Sequence, residues 1–200
     1  VMGIERTFEA ALLKSIRSLE NNKPDLLISP DNEDSNIPMD DRLWDIAKKI
    51  RNGSNAIEET KRTFIDFWFT NAIERIIKVE KEIISSELSK DLFAKAKDYG
   101  FSDKYIAKLK NSEEKKIREI RKSFGIIPTY KMVDTCAAEF EAKTTYFYST
   151  YETENEAIPL EGNKAIVLGS GPIRIGQGME FDYCSVHASK SLQNNGIKSI

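Results

Sequence analysis

Apolar residues in the first 125 positions recur every three or four residues, the spacing that places them on one side of a helix. This pattern predicts a series of amphipathic helices, several of them preceded by a capping Thr, Asn or Ser. The predicted spans are Thr7 to Leu19, Leu43 to Ile50, Asn55 to Lys61, Asp66 to Glu87, Lys90 to Tyr99, Ser102 to Leu109 and Ser112 to Phe124. Because each helix is short and marginal in water by itself, the helices must pack on one another.

A polar segment with three prolines separates the first predicted helix from the others. It runs from Asn21 to Met39 and contains Pro24, Pro30 and Pro38. Proline interrupts helices because it lacks a backbone N–H. We therefore predict a long connection here, with a domain boundary near it and an all-helical domain after it.

The composition changes after Gly125 toward β-branched and aromatic residues, which favour strands. Two short extended segments are predicted, at Tyr130 to Val133 and at Tyr146 to Tyr151. Further on, Ala165 to Leu168 form a continuous apolar run that ends at Gly169. Such a run is typical of a parallel strand covered on both faces.

A glycine-rich loop follows this run and precedes a predicted helix from Met179 to Asn194. Its glycines are Gly169, Gly171, Gly176 and Gly178. Glycine lets the backbone turn sharply, and loop amides together with a helix N-terminus offer positive partial charge to an anion. The spacing departs from that of a dinucleotide fingerprint. A structural turn, an anion-binding loop and, on the glycines alone, a fragment of a nicotinamide-dependent oxidoreductase are the alternatives.

The last residues predict the start of another strand. Gly196 ends the helix, and the residues from Ile197 to Ile200 look like the beginning of a second strand. One strand, one helix and a partial strand cannot build a parallel sheet, which needs several strands and cover on both faces. We therefore expect the α/β part to be incomplete, the 200 residues to come from a longer polypeptide, and any active centre to lie in the missing part.

Charge and composition argue against several classes of protein. The chain has 30 basic and 32 acidic residues without a basic block, so we expect no nucleic-acid partner. No apolar run approaches the roughly 18 residues of a membrane span, and the first residues, VMGIERTF, lack the charged and apolar regions of a signal peptide, so we expect no membrane partner. Cys136 and Cys184 lie far apart, which favours two reduced thiols in a cytoplasmic protein over a zinc site or a disulfide.

Four aromatic residues cluster at the start of the longest predicted helix. They are Phe64, Phe67, Trp68 and Phe69. Large apolar side chains are usually buried, so we interpret this cluster as core or as a contact with another subunit rather than as a ligand cage. The charged runs Glu113 to Lys116 and Arg118 to Lys122 are predicted to be solvated helix faces.

Two motifs resemble the large, or synthetase, subunit of carbamoyl-phosphate synthase. YKMVDTCAAEFEAKTTYFYSTYE and VLGSGPIRIGQGMEFDYCSVHA occur in the order and spacing of the junction that leads into its second ATP-grasp half. Upstream, VMGIERTFEAALLKSIRSLE resembles the closing segment of the first half, and DYGFSDKYIAKL resembles the end of the helical domain between the halves. The resemblance covers most of the chain, more loosely between Asn21 and Ser89.

The resemblance implies a ligase in which two ATP-grasp halves flank a helical oligomerisation domain. In such enzymes the first half uses ATP to convert bicarbonate and ammonia to carbamate, and the second phosphorylates carbamate. ATP and Mg²⁺ or Mn²⁺ are cofactors of the parent enzyme, and a glutamine amidotransferase subunit or domain supplies the ammonia. The enzyme serves arginine or pyrimidine biosynthesis, and the helical domain self-associates.

The resemblance also implies a division of this chain and its fold class. Residues 1–38 are the end of the first half and a linker, 39–128 the oligomerisation domain, 129–163 a connecting segment and 164–200 the truncated start of the second half. The fold is then mainly α, followed by an incomplete α/β Rossmann-like (pre-ATP-grasp) subdomain. The piece alone is expected to be inactive, with no catalytic residue, cofactor site or metal ligand of its own; the alternative function is a non-enzymatic helical assembly module.

Three residues take a role from the resemblance. Arg174, Gly178 and Glu180 fall on loop positions that line the carbamate passage in similar proteins. An arginine can hold anionic carbamate by paired hydrogen bonds, while a nearby carboxylate keeps the anion from binding too tightly. The alternative is an ion pair of Arg174 with Glu180 or Asp182 that merely fixes the loop.

Two further positions receive no role. Similar sequences usually have glycine where this chain has Glu5, so nothing is carried over to the neighbouring Arg6. His187 lies on the last predicted helix, and we expect it to pack rather than to act in acid–base catalysis.

Overall fold

The computed structural model of the chain describes residues 1–19, 23–27, 38–141, 146–169, 178 and 180–200. Within these residues it contains eight α-helices and four short strands. Seven helices precede residue 125, and every described strand follows it. This arrangement confirms a mainly helical fold followed by an α/β unit. None of the described helices is both long enough and apolar enough to cross a membrane.

The helices of the first 125 residues begin largely where the sequence predicts. They are α1 (Phe8–Ser18), α2 (Arg42–Arg51), α3 (Ala56–Thr63), α4 (Phe67–Ser85), α5 (Lys90–Asp98), α6 (Asp103–Leu109) and α7 (Glu114–Ser123). The side-chain oxygens of Thr7, Asn55 and Ser102 accept hydrogen bonds from N–H groups in the first turn of the helix that follows. These three caps confirm the prediction, since each satisfies a donor that has no partner inside the helix.

The start of α7 differs from the prediction. Its N-cap is Glu113, whose side chain makes no capping hydrogen bond, so the predicted cap at Ser112 is wrong. The backbone of Ser112 instead closes α6, because its N–H donates to the carbonyl oxygen of Ala107 at 2.9 Å. Asn111, with φ of 48°, supplies the left-handed residue that this helix ending requires.

A core of aliphatic and aromatic side chains holds the helical part together. Helix α4 lies at its centre and packs against α1, α2, α3, α5 and α6. The largest fully buried side chains include Ile16, Ile46, Ile76, Ile83, Phe93, Phe101 and Ile106. Burying each such side chain stabilises the fold by roughly 1.5–3 kcal/mol, which explains how short helices persist together.

One carboxylate lies inside this core. Glu80 on α4 is fully buried and accepts hydrogen bonds from Arg51 Nη2 at 2.9 Å and from the hydroxyl of Tyr105 at 2.8 Å. Burial, together with the negative charge of Glu80, raises the pKa of Tyr105 well above its ordinary value, so the phenol remains a donor. Sequence spacing does not reveal this site because charged residues on helices are usually solvated.

The two extended segments after the helices form an antiparallel hairpin. Its strands are β1 (Thr129–Met132) and β2 (Phe147–Thr150). Thr129 lies opposite Thr150, and Met132 lies opposite Phe147. Both predicted extended segments are therefore confirmed, with boundaries shifted by one residue.

The last part of the chain is a small parallel unit. Strand β3 (Lys164–Ala165) pairs with β4 (Lys198–Ser199), and α8 (Glu180–Asn194) connects them. This confirms the predicted order of strand, loop, helix and strand. Gly196, with φ of 73°, ends the helix as predicted.

Strand β3 is shorter than the apolar run that predicted it. Of that run only Ala165 lies in the strand, while Ile166 is 69% exposed and Leu168 is 89% exposed. The prediction of a strand covered on both faces is therefore wrong for this chain. Two strands and one helix are too few to cover both faces of a sheet. Among the described side chains of residues 164–200, none is buried.

Candidate functional site

The structure describes both ends of the glycine-rich loop. Gly169 follows β3, and the N–H of Gly178 donates to Oε1 of Glu180 at 2.8 Å. Glu180 is the first residue of α8, where unpaired N–H groups and the helix dipole favour a negative charge. The hydrogen bond from Gly178 lowers the pKa of Glu180, so its carboxylate is ionised at neutral pH. Three predicted loop residues, Gly171, Arg174 and Gly176, lie outside the described residues.

Gly178 is in close contact with this carboxylate. A β-carbon built on Gly178 would lie 2.6 Å from Oε2 of Glu180, so a side chain there would push the carboxylate away. The position of Arg174 relative to Glu180 and Asp182 is not described. The predicted carbamate passage and the alternative ion pair that only fixes the loop therefore both stay predictions.

A second candidate site is an open cleft of about 330 Å³, where the N-terminal segment, the helices and the hairpin meet. We call it the joint cleft. Its lining includes Glu5, Arg17, Lys97, Asp103, Tyr130 and Tyr151. These residues come from three stretches far apart in sequence, so no local pattern predicted the cleft.

A buried group of charges forms one wall of the joint cleft. The side chain of Lys97 is 3% exposed; its ammonium pairs with Asp103 and donates to the carbonyl oxygen of Phe101 at 2.9 Å. Arg121 Nε donates to both carboxylate oxygens of Asp103 at 3.1 Å. Burial lowers the pKa of Lys97 to about 8, although Asp103 opposes this shift. For Asp103 burial acts in the other direction, but Lys97 and Arg121 together lower its pKa.

The position of Arg121 corrects one prediction. The run Arg118 to Lys122 was expected to be solvated, but Arg121 is 5% exposed and also donates to the carbonyl oxygen of Ile126 at 2.7 Å. Helix α7 packs on α6 and carries Arg121 inward, toward Asp103. The solvated interpretation is therefore wrong for Arg121.

Gly100, which follows α5, contacts helix α1 at the cleft. Arg17 Nη1 donates to the carbonyl oxygen of Gly100 at 3.0 Å. Gly100 has φ of +86°, and a β-carbon there would lie 2.6 Å from Cα of Ala10. Only glycine allows these two backbones to approach so closely.

The N-terminal segment also contacts the hairpin directly. Lys14 Nζ donates to the carbonyl oxygen of Ser149 at 2.7 Å and pairs with Glu5 at 2.5 Å. Arg6 pairs with Glu152 at 2.9 Å. Glu5, to which the sequence analysis gave no role, therefore has a partner in this chain. These contacts join residues near the N-terminus, among them Lys14 of α1, directly to the hairpin and to the residues that follow it.

An exposed aromatic surface lies at the start of α4. Phe64 is 93% exposed, Phe67 47%, Trp68 53% and Phe69 43%. The ring of Phe8 packs edge-on against Trp68 and Phe69, with centroids 4.9 and 5.4 Å away. The interpretation of this cluster as core is wrong, while its contact with another subunit stays a prediction.

The remaining candidate groups stand apart from these sites. His187 is exposed, and its ring lies 4.2 Å from that of Tyr183. Cys136 and Cys184 are free thiols. Among the described residues, no group of three or more His, Cys, Asp or Glu is placed to hold a metal ion.

Comparison with known proteins gives two family matches. Residues 1–125 match the family model for the carbamoyl-phosphate synthetase large chain, oligomerisation domain. Residues 161–200 match the family model for the carbamoyl phosphate synthase preATP-grasp domain.

Similar curated proteins cover the whole chain. It is 47% identical to the carbamoyl phosphate synthase large chain of Thermomicrobium roseum, and 50% identical to that of Caldanaerobacter subterraneus subsp. tengcongensis. The large chain of Thermoanaerobacter sp. is 49% identical. Each alignment covers 100% of this chain and 19% of the relative, so the chain spans about a fifth of the length of these relatives.

Proposed function

Because the chain belongs to the family of carbamoyl-phosphate synthase large chains, we propose that it is the central part of a ligase that makes carbamoyl phosphate. The parent would use bicarbonate, glutamine-derived ammonia and two ATP. The observation that carries this proposal is the order of the two family matches, an oligomerisation domain followed by a preATP-grasp domain. This order assigns the glycine-rich loop to a synthetase rather than to a nicotinamide-dependent oxidoreductase.

The chain's own contribution would be to connect the two synthetase halves. We assign residues 1–38 to the end of the first half and a linker, 39–128 to the oligomerisation domain, 129–163 to a connecting segment and 164–200 to the start of the second half. The direct contacts of Lys14 with Ser149 and of Arg6 with Glu152 support this role, because they join the first segment to the third.

The cofactors and partners of the parent are part of the same proposal. ATP and Mg²⁺ or Mn²⁺ would bind in the ATP-grasp cores, and a glutamine amidotransferase subunit or domain would deliver ammonia. The free thiols of Cys136 and Cys184 suit a reducing cytoplasm. We expect the pure 200-residue chain to show no ATP hydrolysis and no carbamoyl phosphate formation, whereas the parent should do both. Turnover of ATP by the chain alone would contradict the proposal that the active centres lie outside it.

We further propose that Arg174, Gly178 and Glu180 line the passage for carbamate. The ionised carboxylate of Glu180, held by the N–H of Gly178, supports a charged lining at this end of the loop. Arginine beside it would bind the anion bidentately, and the carboxylate would limit how tightly the anion is held.

Substitutions in the full-length parent test this passage. Arg174→Ala and Glu180→Ala should leave the partial ATP reaction of each half nearly intact while the overall synthesis is uncoupled from ATP hydrolysis. Asp182→Ala is the control, because Asp182 takes part only in the alternative ion pair. Equal losses in the partial reactions and the overall reaction would point to a structural role of the loop instead.

A helical assembly module is the second candidate function. The exposed aromatic surface of Phe64, Phe67, Trp68 and Phe69 favours it, because exposed aromatic clusters are typical of protein contacts. Sedimentation of the wild-type chain and of Phe64→Ser tests it, with Ile57→Ser, another exposed apolar residue, as the control. Association lost only in Phe64→Ser would support the surface; a monomeric wild type at all concentrations would remove this candidate.

A further inference from the structure

The joint cleft contains a positive charge without a matching negative one. Every carboxylate in its lining already pairs with a cation. The pairs are Glu5 with Lys14, Asp103 with Lys97 and Arg121, and Glu114 with Arg118. Among the described residues, Arg17 has no carboxylate within ion-pair distance, and its one hydrogen bond goes to the neutral carbonyl oxygen of Gly100. The cleft therefore presents a guanidinium with unused donors.

Arg17 is only partly exposed to solvent, which makes this charge significant. A guanidinium has five N–H donors, and taking it out of water costs free energy unless a partner replaces the solvent. Burial lowers the pKa of Arg17, and the nearby carboxylate of Glu5 does not offset that effect. An added anion would remove this electrostatic cost.

The other walls supply neutral hydrogen-bond donors. Ser102, Tyr130 and Tyr151, whose side chains carry hydroxyl groups, line the same cleft. Burial raises the pKa of Tyr151, so its phenol stays protonated and can donate. The volume, about 330 Å³, is in the range of small-molecule sites, which begins at about 300 Å³.

We propose that the joint cleft binds a small oxyanion, a carboxylate or a phosphate, with Arg17 as its anchor. A planar guanidinium matches both groups because it can donate two parallel hydrogen bonds to their oxygens. The walls come from the N-terminal segment, the helices and the hairpin, so a bound anion would hold these three parts together. This site lies outside the glycine-rich loop, and the inference goes beyond the proposed function without depending on it.

Anion titrations of the 200-residue chain test the site. Inorganic phosphate and succinate are added separately at constant ionic strength, and the amide resonances of Ser102 and Ser149 are followed by NMR. We expect saturable shifts with at least one of the two anions, and the better ligand identifies the oxyanion class. Absence of saturation with both anions would overturn the proposal.

Variants assign the binding to Arg17. Arg17→Gln should weaken the affinity by at least about tenfold, the expected effect of losing a charge-assisted hydrogen bond. Arg42→Gln, an exposed arginine on α2 outside the cleft lining, is the matched control and should bind like the wild type. If Arg17→Gln does not fold, Arg17→Lys decides, because it keeps the charge but loses the paired donors and should still bind more weakly. Unchanged affinity in the folded Arg17 variant would contradict the assignment.

Discussion

At the scale of single residues, the helical part is unusual in the charges that it keeps inside. Glu80, Lys97, Asp103 and Arg121 are all at most 8% exposed, and each has an oppositely charged partner. Such pairs are weak evidence of added stability, because desolvation offsets most of the attraction. Their loss is nevertheless costly, since removing one partner leaves the other charge buried alone. Lys97 is the member whose protonation responds to moderately alkaline pH.

We predict that Lys97 makes the free energy of unfolding rise with pH above about 8. Its pKa in the folded chain is about 8, while an unfolded lysine has a value of about 10.4. Between these values the unfolded chain binds the additional proton, so stability increases with pH in this window. Urea unfolding of the wild type and of Lys97→Met isolates this contribution. The difference between their unfolding free energies should rise in favour of the wild type by about 1.6 kcal/mol from pH 8 to pH 9.5, since the slope approaches 1.36 kcal/mol per pH unit only once the folded lysine has lost its proton.

The measurement should stop at pH 9.5 because two tyrosines act in the opposite direction above that. Burial raises the pKa values of Tyr105 and Tyr151, so the folded chain keeps protons there that the unfolded chain loses. A wild-type minus variant difference that stays flat from pH 8 to pH 9.5 would show that Lys97 does not titrate in the folded state as expected.

At the scale of elements, hydrogen bonds at the helix ends decide where each helix begins. Ser102 and Ser112 precede consecutive helices and look alike in sequence, but only Ser102 caps with its side chain. Ser112 contributes its backbone N–H to the end of α6 instead. Substituting each serine therefore compares a position where the hydroxyl caps a helix with one where it does not.

We predict that Ser102→Ala lowers the free energy of unfolding by about 1 kcal/mol, because the N–H of Tyr105 loses its acceptor. Ser112→Ala should change it by no more than about 0.5 kcal/mol, since the backbone hydrogen bond is unaffected. Chemical denaturation of both variants under the same conditions gives the comparison. Equal destabilisation by the two substitutions would mean that the serine hydroxyl at α6 is not the relevant interaction.

At the scale of the whole molecule, the described residues form a core in the helical part and none in residues 164–200. Helix α4 buries Ile76, Ile77 and Ile83, whereas α8 has no buried side chain among those described. The parallel unit of β3, α8 and β4 also exposes Ile166 and Leu168. Regions with few buried apolar contacts open by local unfolding at low free-energy cost.

We predict that the amides of α8 exchange with solvent far more readily than those of α4. Native-state hydrogen exchange should give opening free energies for α8 that are at least about 3 kcal/mol lower, because α4 opens only when the helical core unfolds. Residues 129–132 of the hairpin, which are held to the N-terminal segment through Ser149 and Glu152, should fall between these limits. Coincident opening energies for α4 and α8 would show that the chain unfolds as one unit.

The apolar periodicity predicted the helices, and the Thr, Asn and Ser residues before them predicted the caps at Thr7, Asn55 and Ser102. The apolar run and the glycines after it predicted the order of strand, loop and helix at the end. These features depend on interactions between residues close in sequence, which a pattern can show. The two motifs on either side of Asn163 were also sufficient to indicate the family, because their residues are contiguous.

Only the tertiary structure decided which charges are buried and which apolar residues are exposed. Arg121 and Lys97 look like solvated helix residues until α6 and α7 pack, and Leu168 looks like core until the small sheet leaves it without cover. The joint cleft is of the same kind, since Arg17, Asp103 and Tyr151 meet only when three distant segments fold together. Burial depends on how the elements pack against one another, so the spacing of residues along one element cannot predict it.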